Sequence, residues 1–209
     1  MKKMLLAGAL ATLLIAPFAA SGALVQFDFG PTPSPMNWNN VLSYTAGVYV
    51  SSAVDTNGLA TGMQLAIISN FYESSASEGL AGGTIYPDSA SGDCLRLSAA
   101  GEGHAEILMS GLNPAWSYSF TFYAASHRDP DRRTTYTIGT NSVQLEAAHN
   151  YSNTVSISSV SPTAGGEILV NIDRIDYWGY LNVMEVDAIP EPLAAVPLLL
   201  LLAWVVRQA

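Results

Sequence analysis

Lysine is absent between residues 24 and 188, and arginine occurs there five times against sixteen aspartates and glutamates, a net charge of −11 for that stretch. A surface of that sign repels nucleic-acid phosphates and anionic headgroups, which excludes both as partners and leaves neutral sugars or cations such as calcium. Cysteine is scarce too. The single Cys94 cannot close an intramolecular disulfide, so no covalent bridge supports the fold. It lies in Gly92-Asp93-Cys94-Leu95-Arg96-Leu97, a strand pattern whose alternation turns the thiol inward, buried and inert. Pairing with a second chain is the other reading.

Catalytic signatures are missing as well. Neither Gly-x-Ser-x-Gly nor His-Glu-x-x-His occurs, and Pro87-Asp88-Ser89-Ala90 lacks the glycine that opens a Gly-Asp-Ser esterase motif. His104, His127 and His149 fall on separate predicted elements, and no cysteine or histidine cluster has zinc spacing. Carboxylates scattered on loops can still meet in space as a glycosidase pair, so a glycan-acting enzyme stays open as an alternative.

Long hydrophobic runs are confined to the two ends. Lys2 and Lys3 precede an apolar stretch over residues 4–20, and Ser21-Gly22-Ala23 supplies the small residues that a signal peptidase reads. Residues 1–23 therefore read as a signal peptide removed before Leu24. At the other end Pro190-Glu191-Pro192 is followed by an apolar run over residues 193–206 and then Arg207. Such a run rises only ~21 Å as a helix at ~1.5 Å per residue, short of a ~30 Å hydrocarbon core, so it is a marginal transmembrane helix. Pro197 weakens it further. Arg207 marks the cytoplasmic end, which leaves the preceding domain outside.

Pro190, Glu191, Pro192, the apolar run and Arg207 together resemble the PEP-CTERM sorting signal of exopolysaccharide-producing bacteria. The resemblance implies recognition by an exosortase-type membrane enzyme that cuts near the triad and passes the protein to the cell surface or extracellular matrix. An ordinary C-terminal membrane anchor is the alternative reading of residues 189–209.

Between the ends, residues 24–188 have the length of one domain. Strand patterns fall at residues 24–29, 42–54, 62–68, 94–98, 104–109, 117–124, 134–138, 142–145, 154–158, 167–172 and 180–186, with Asp55-Thr56-Asn57-Gly58 as a hairpin turn. Many short strands, frequent turns and no convincing amphipathic helix predict an all-β antiparallel β-sandwich. Phe27-Asp28-Phe29-Gly30 with Asn37-Trp38-Asn39-Asn40, the Phe120–Ala124 and Arg132–Thr137 stretches, and Gly179–Val186 are similar to the jelly-roll, galactose-binding-like domains of secreted bacterial proteins. That resemblance implies a jelly roll and suggests sugar binding.

Two stretches combine the residue types that a neutral sugar needs. Asn37, Trp38, Asn39 and Asn40 offer an aromatic face beside amides; Arg128, Arg132 and Arg133 sit with Asp129 and Asp131 in the most charged run. The competing readings are a core-capping tryptophan with turn-forming asparagines, and arginines that pair with neighbouring aspartates. Asp28 in the first strand with Glu185 and Asp187 in the last is the candidate oxygen set for structural calcium, against solvated surface acids; no other cofactor is expected. The sequence thus predicts an exported, non-catalytic β-sandwich, membrane-anchored through its tail and sorted to the surface or matrix. Binding to extracellular polysaccharide is its expected role, and a purely structural matrix protein is the alternative.

Overall fold

The computed structural model describes residues 22–47 and 49–190. The expected signal peptide through residue 21, and Glu191, Pro192, the apolar run and Arg207, lie outside the described residues. Among the described residues no helix is long and apolar enough to cross a membrane.

The described residues are nearly all β. In order come β1 (Ala23–Phe29), β2 (Asn39–Val41), β3 (Tyr49–Val50), β4 (Gln64–Ser69) and β5 (Glu73–Ser75), then the short helix α1 (Asp88–Ser91). There follow β6 (Cys94–Ser98), β7 (His104–Ser110), β8 (Trp116–Tyr123), β9 (Arg133–Ile138), β10 (Asn141–Glu146), β11 (Val155–Val160), β12 (Ile168–Arg174), β13 (Trp178–Leu181) and β14 (Val183–Pro190). One sheet has the order β11-β8-β14-β1-β2, a second β10-β9-β12-β7-β4-β3, and a small third β13-β6-β5. Pairing is antiparallel throughout these sheets except between β1 and β2.

Period-2 alternation builds the core. Val25, Phe27 and Phe29 of β1, Phe120 and Phe122 of β8, and Ile107 and Met109 of β7 all point into one buried cluster. Phe122 and Tyr136, from the two larger sheets, stack there with ring centroids 4.3 Å apart. Each such aromatic removes enough apolar surface from water to contribute about 1.5–3 kcal/mol. Cys94 is buried in the same cluster and unbonded, and burial pushes its thiol pKa up, which makes it inert.

Four expectations are revised. Asn39 and Asn40, which fall in none of the strand patterns read from the sequence, belong to strand β2, paired parallel to β1. Among the described residues of 42–54, only β3 and the bridge between Val54 and Ala60 show strand pairing. Residues 180–186 are two strands: Tyr180 and Leu181 pair with β6, whereas Val183 onward pairs with β1 and β8. The break falls at Asn182, a wholly buried polar residue whose side chain must find backbone partners. Last, β14 continues through Pro190, which faces Trp116, so the paired domain reaches into the Pro-Glu-Pro triad and does not stop at residue 188.

Candidate functional site

Strand β1 ends in Gly30-Pro31-Thr32-Pro33-Ser34-Pro35. Proline has no N–H, so in the last five of these residues only Thr32 and Ser34 can donate from the backbone. Both donate to carboxylates. The Thr32 N–H bonds Asp93 Oδ2 at 2.6 Å, and the Ser34 N–H bonds Asp28 Oδ2 at 3.0 Å and Asn40 Oδ1 at 2.7 Å. Gly30 is required here, because a Cβ at that position would run into the Asp93 carboxyl. The proline-spaced turn is thus a clamp on two acids from different elements.

Asp28 is 0% and Asp93 1% exposed. Burial pushes the Asp28 carboxyl up to about 7, and the charge of Asp93 pushes the same way. Burial also lifts Asp93 to about 6, against the opposing pull of its bond from Thr32. Each acid keeps one oxygen, Oδ1, buried with no hydrogen-bond partner.

Asp93 also borders a groove of about 470 Å³ under the glycine-rich segment before β6, where Thr32, Leu80, Asp88, Ser89 and His127 are further lining residues. Its walls are held by short bonds: Ser34 Oγ meets Ser89 Oγ at 2.8 Å, Leu80 N–H donates to the Ser91 carbonyl, and Asp88 Oδ1 accepts from Gly82 N–H. Behind Leu80, a second small core of Ala90, Tyr123, Ala125 and Val183 carries Trp38 and Tyr86 on its edge. A recess of similar volume beside the Gly139 turn has Glu167 as its one ionisable lining residue.

The residues expected to bind sugar are placed elsewhere. Asn39 is buried, donating to the Gln26 and Val54 carbonyls and accepting from Val54 N–H, which occupies its amide with backbone. Asn40 closes on Ser34, and Asn37 Nδ2 donates to the Thr56 carbonyl. Trp38 is half-buried, edge-on to Tyr86 with ring centroids 6.0 Å apart, as a core-capping residue would be. Arg128 makes two bonds to Glu78, which also lies 3.3 Å from Arg96, and the Arg128 bond holds the Glu78 carboxyl below its ordinary range. Arg133 grips Asp176 through two nitrogens at 2.9 Å each. Arg132 donates its N–H to Glu146 and a guanidinium N–H to the Asp131 carbonyl. None of these seven residues lines the groove; their neighbour His127 does.

The oxygen set Asp28, Glu185 and Asp187 is not gathered. In the β1–β14 register Asp28 faces Val183, Gln26 faces Glu185 and Leu24 faces Asp187, and Glu185 accepts from the Gln26 amide. Among the described residues no three acids, histidines or cysteines form a metal-holding group. Sequence reasoning missed Asp93 as the partner of Asp28. The available signal was Asp28 itself, an acid between two phenylalanines on a strand that reads as buried.

No family model matches the chain, and no curated protein matches it. Among solved structures it is similar to an exo-beta-1,3-galactanase from Phanerochaete chrysosporium, at 16% identity and a TM-score of 0.33, over 68% of this chain and 33% of that one. A beta-(1,4)-mannanase from Podospora anserina aligns at 13% identity and a TM-score of 0.33, over 81% of this chain and 29% of that one. The chain therefore spans about a third of the length of these enzymes. Overlaps this slight carry nothing about activity or substrate.

Proposed function

We propose that the protein is an exported, non-catalytic β-sandwich of jelly-roll type that binds a neutral glycan in the groove beside Asp93, and that it is delivered to the cell surface or matrix through its C-terminal tail. The observation that carries this reading is the groove itself, about 470 Å³, within the ~300–1,000 Å³ of ordinary ligand sites. Thr32, Asp88, Ser89 and His127 present hydroxyl, carboxylate and imidazole groups around apolar Leu80. That mixture suits a ligand with hydroxyl edges and a CH face. The acidic surface and the residues of both chain ends support export and sorting.

The test is a glycan array probed with the compact unit Ser21–Glu191, followed by calorimetry on any hit. Asp88→Ala and His127→Ala should each weaken binding at least tenfold while the domain stays folded. A blank array favours the structural matrix protein; turnover of a bound glycan favours the enzyme. Intact-mass measurement of surface-recovered protein tests the sorting, since a C-terminus still ending at Ala209 rejects it.

A further inference from the structure

Two carboxylates buried side by side need a counter-charge. Leaving an ionised carboxylate out of water without a partner costs several kcal/mol, and two together also repel. The chain's own cations are committed elsewhere among the described residues: Arg96 to Glu73 and Glu78, Arg128 to Glu78, Arg133 to Asp176. Arg132 and Arg174 donate to main-chain carbonyls of Asp131 and Asp176. Among the described residues no arginine acts on Asp28 or Asp93: Asp28 feels the Asp93 carboxylate and Ser34, and Asp93 is bonded from Thr32. Among the described residues nothing supplies that counter-charge.

We propose that Asp28 and Asp93 are the carboxylate pair of a divalent-cation site, of the calcium class, closed over by the Thr32 and Ser34 turn. Three features support a cation over a shared proton. The Oδ1 atoms of two acids that are 0% and 1% exposed are buried acceptors with no hydrogen-bond partner. The Oδ2 atoms each receive a backbone N–H, and such bonds favour the ionised carboxylate. The side chains beside them, Ser34 and Thr32, add hydroxyl oxygens and no nitrogen or sulfur donor. Carboxylate and hydroxyl oxygens suit a hard cation.

The consequence is mechanical. Asp28 belongs to β1 of the first large sheet and Asp93 directly precedes β6 of the small sheet, so a bound ion ties the two sheets and fixes the Gly30–Pro35 turn. Asp93 lines the groove, so its floor is set by the same ion. The cation site stands on these residues alone and holds whether or not the groove takes a glycan.

The experiment is calcium titration of the full-length protein, purified in detergent and stripped with EDTA, read by melting temperature and by calorimetry without any sugar. One site per chain is expected, at the ~0.1–1 mM affinity common to extracellular modules, with a saturable rise in melting temperature. Asp93→Asn should lower that affinity at least tenfold. A stripped wild-type protein that shows no heat and no melting shift up to ~10 mM calcium, or an Asp93→Asn variant that binds as well as wild type, overturns the proposal. If Asp93→Asn does not fold, Thr32→Pro replaces it: this removes the donor to Asp93 Oδ2, and unchanged affinity in that variant also counts against the site.

Discussion

The Asn182 side-chain amide donates to the main-chain carbonyl of Asp93 at 2.6 Å. The same amide reaches the Ser91 carbonyl, and its oxygen accepts from Ala125 N–H at 2.9 Å. One buried residue therefore interrupts the run from β13 to β14, holds the end of α1 and seats the start of β6. It sets where the Asp93 carboxylate stands.

Replacing Asn182 by alanine should cost about 3 kcal/mol, since it strands the buried Asp93 carbonyl and Ala125 N–H and leaves the Ser91 carbonyl with only its bond from Leu80 N–H. Urea denaturation measures it. Asn182→Asp should also destabilise, because a carboxylate cannot donate to the Ser91 and Asp93 carbonyls. A loss below about 1 kcal/mol for Asn182→Ala would mean that solvent replaces those bonds.

The metal-free protein should grow more stable as pH falls from about 8 to about 5. The folded Asp28 and Asp93 carboxyls are raised to about 7 and about 6 from an ordinary 3.8. Through this window the folded state binds more protons than the unfolded one, so stability is gained on acidification and lost as pH rises through the folded values. Glu78 and Asp176 are shifted the other way, and their contribution is lost only at lower pH, as carboxylates protonate. Melting temperatures in EDTA across that range check the sign; Asp28→Asn should flatten the slope.

Tyr136 couples the sandwich to the small sheet. Its ring lies parallel to Phe122 and its hydroxyl donates to the Tyr180 carbonyl at 2.6 Å. Tyr136→Phe keeps the stacking and loses the buried bond, for about 1–2 kcal/mol, whereas Tyr136→Ala should cost about 3–5 kcal/mol. Chemical denaturation of both variants separates packing from hydrogen bonding.

Trp38 and Arg133 should respond differently to truncation. Trp38→Ala removes half-buried aromatic surface from the second small core and should cost about 2 kcal/mol. Arg133 is 48% exposed in its pair with Asp176, and Arg133→Ala should cost less than about 1 kcal/mol. Neither lines the groove, so neither change should alter glycan binding where the folded protein persists.

Much of the fold was legible in local pattern. The alternation in Ser117-Tyr118-Ser119-Phe120-Thr121-Phe122, matched by β8, needs only the geometry of a strand buried on one face. The same holds for the hairpin of β9 and β10 across Gly139, whose φ of +59° suits a residue without Cβ. The prolines at 31, 33 and 35 likewise declared an end to β1. What the sequence could not reveal was which side chains these elements bring together. Asp28 and Asp93 are 65 residues apart, and nothing in local propensity encodes their meeting, because long-range approach is decided by how the sheets pack. Arg133 choosing Asp176 over the nearer Asp129 and Asp131 has the same cause: the end of β12 delivers Asp176 beside β9. Burial, too, is a tertiary property, and it alone separates the clamped carboxylates of Asp28 and Asp93 from the other acids of a uniformly acidic chain.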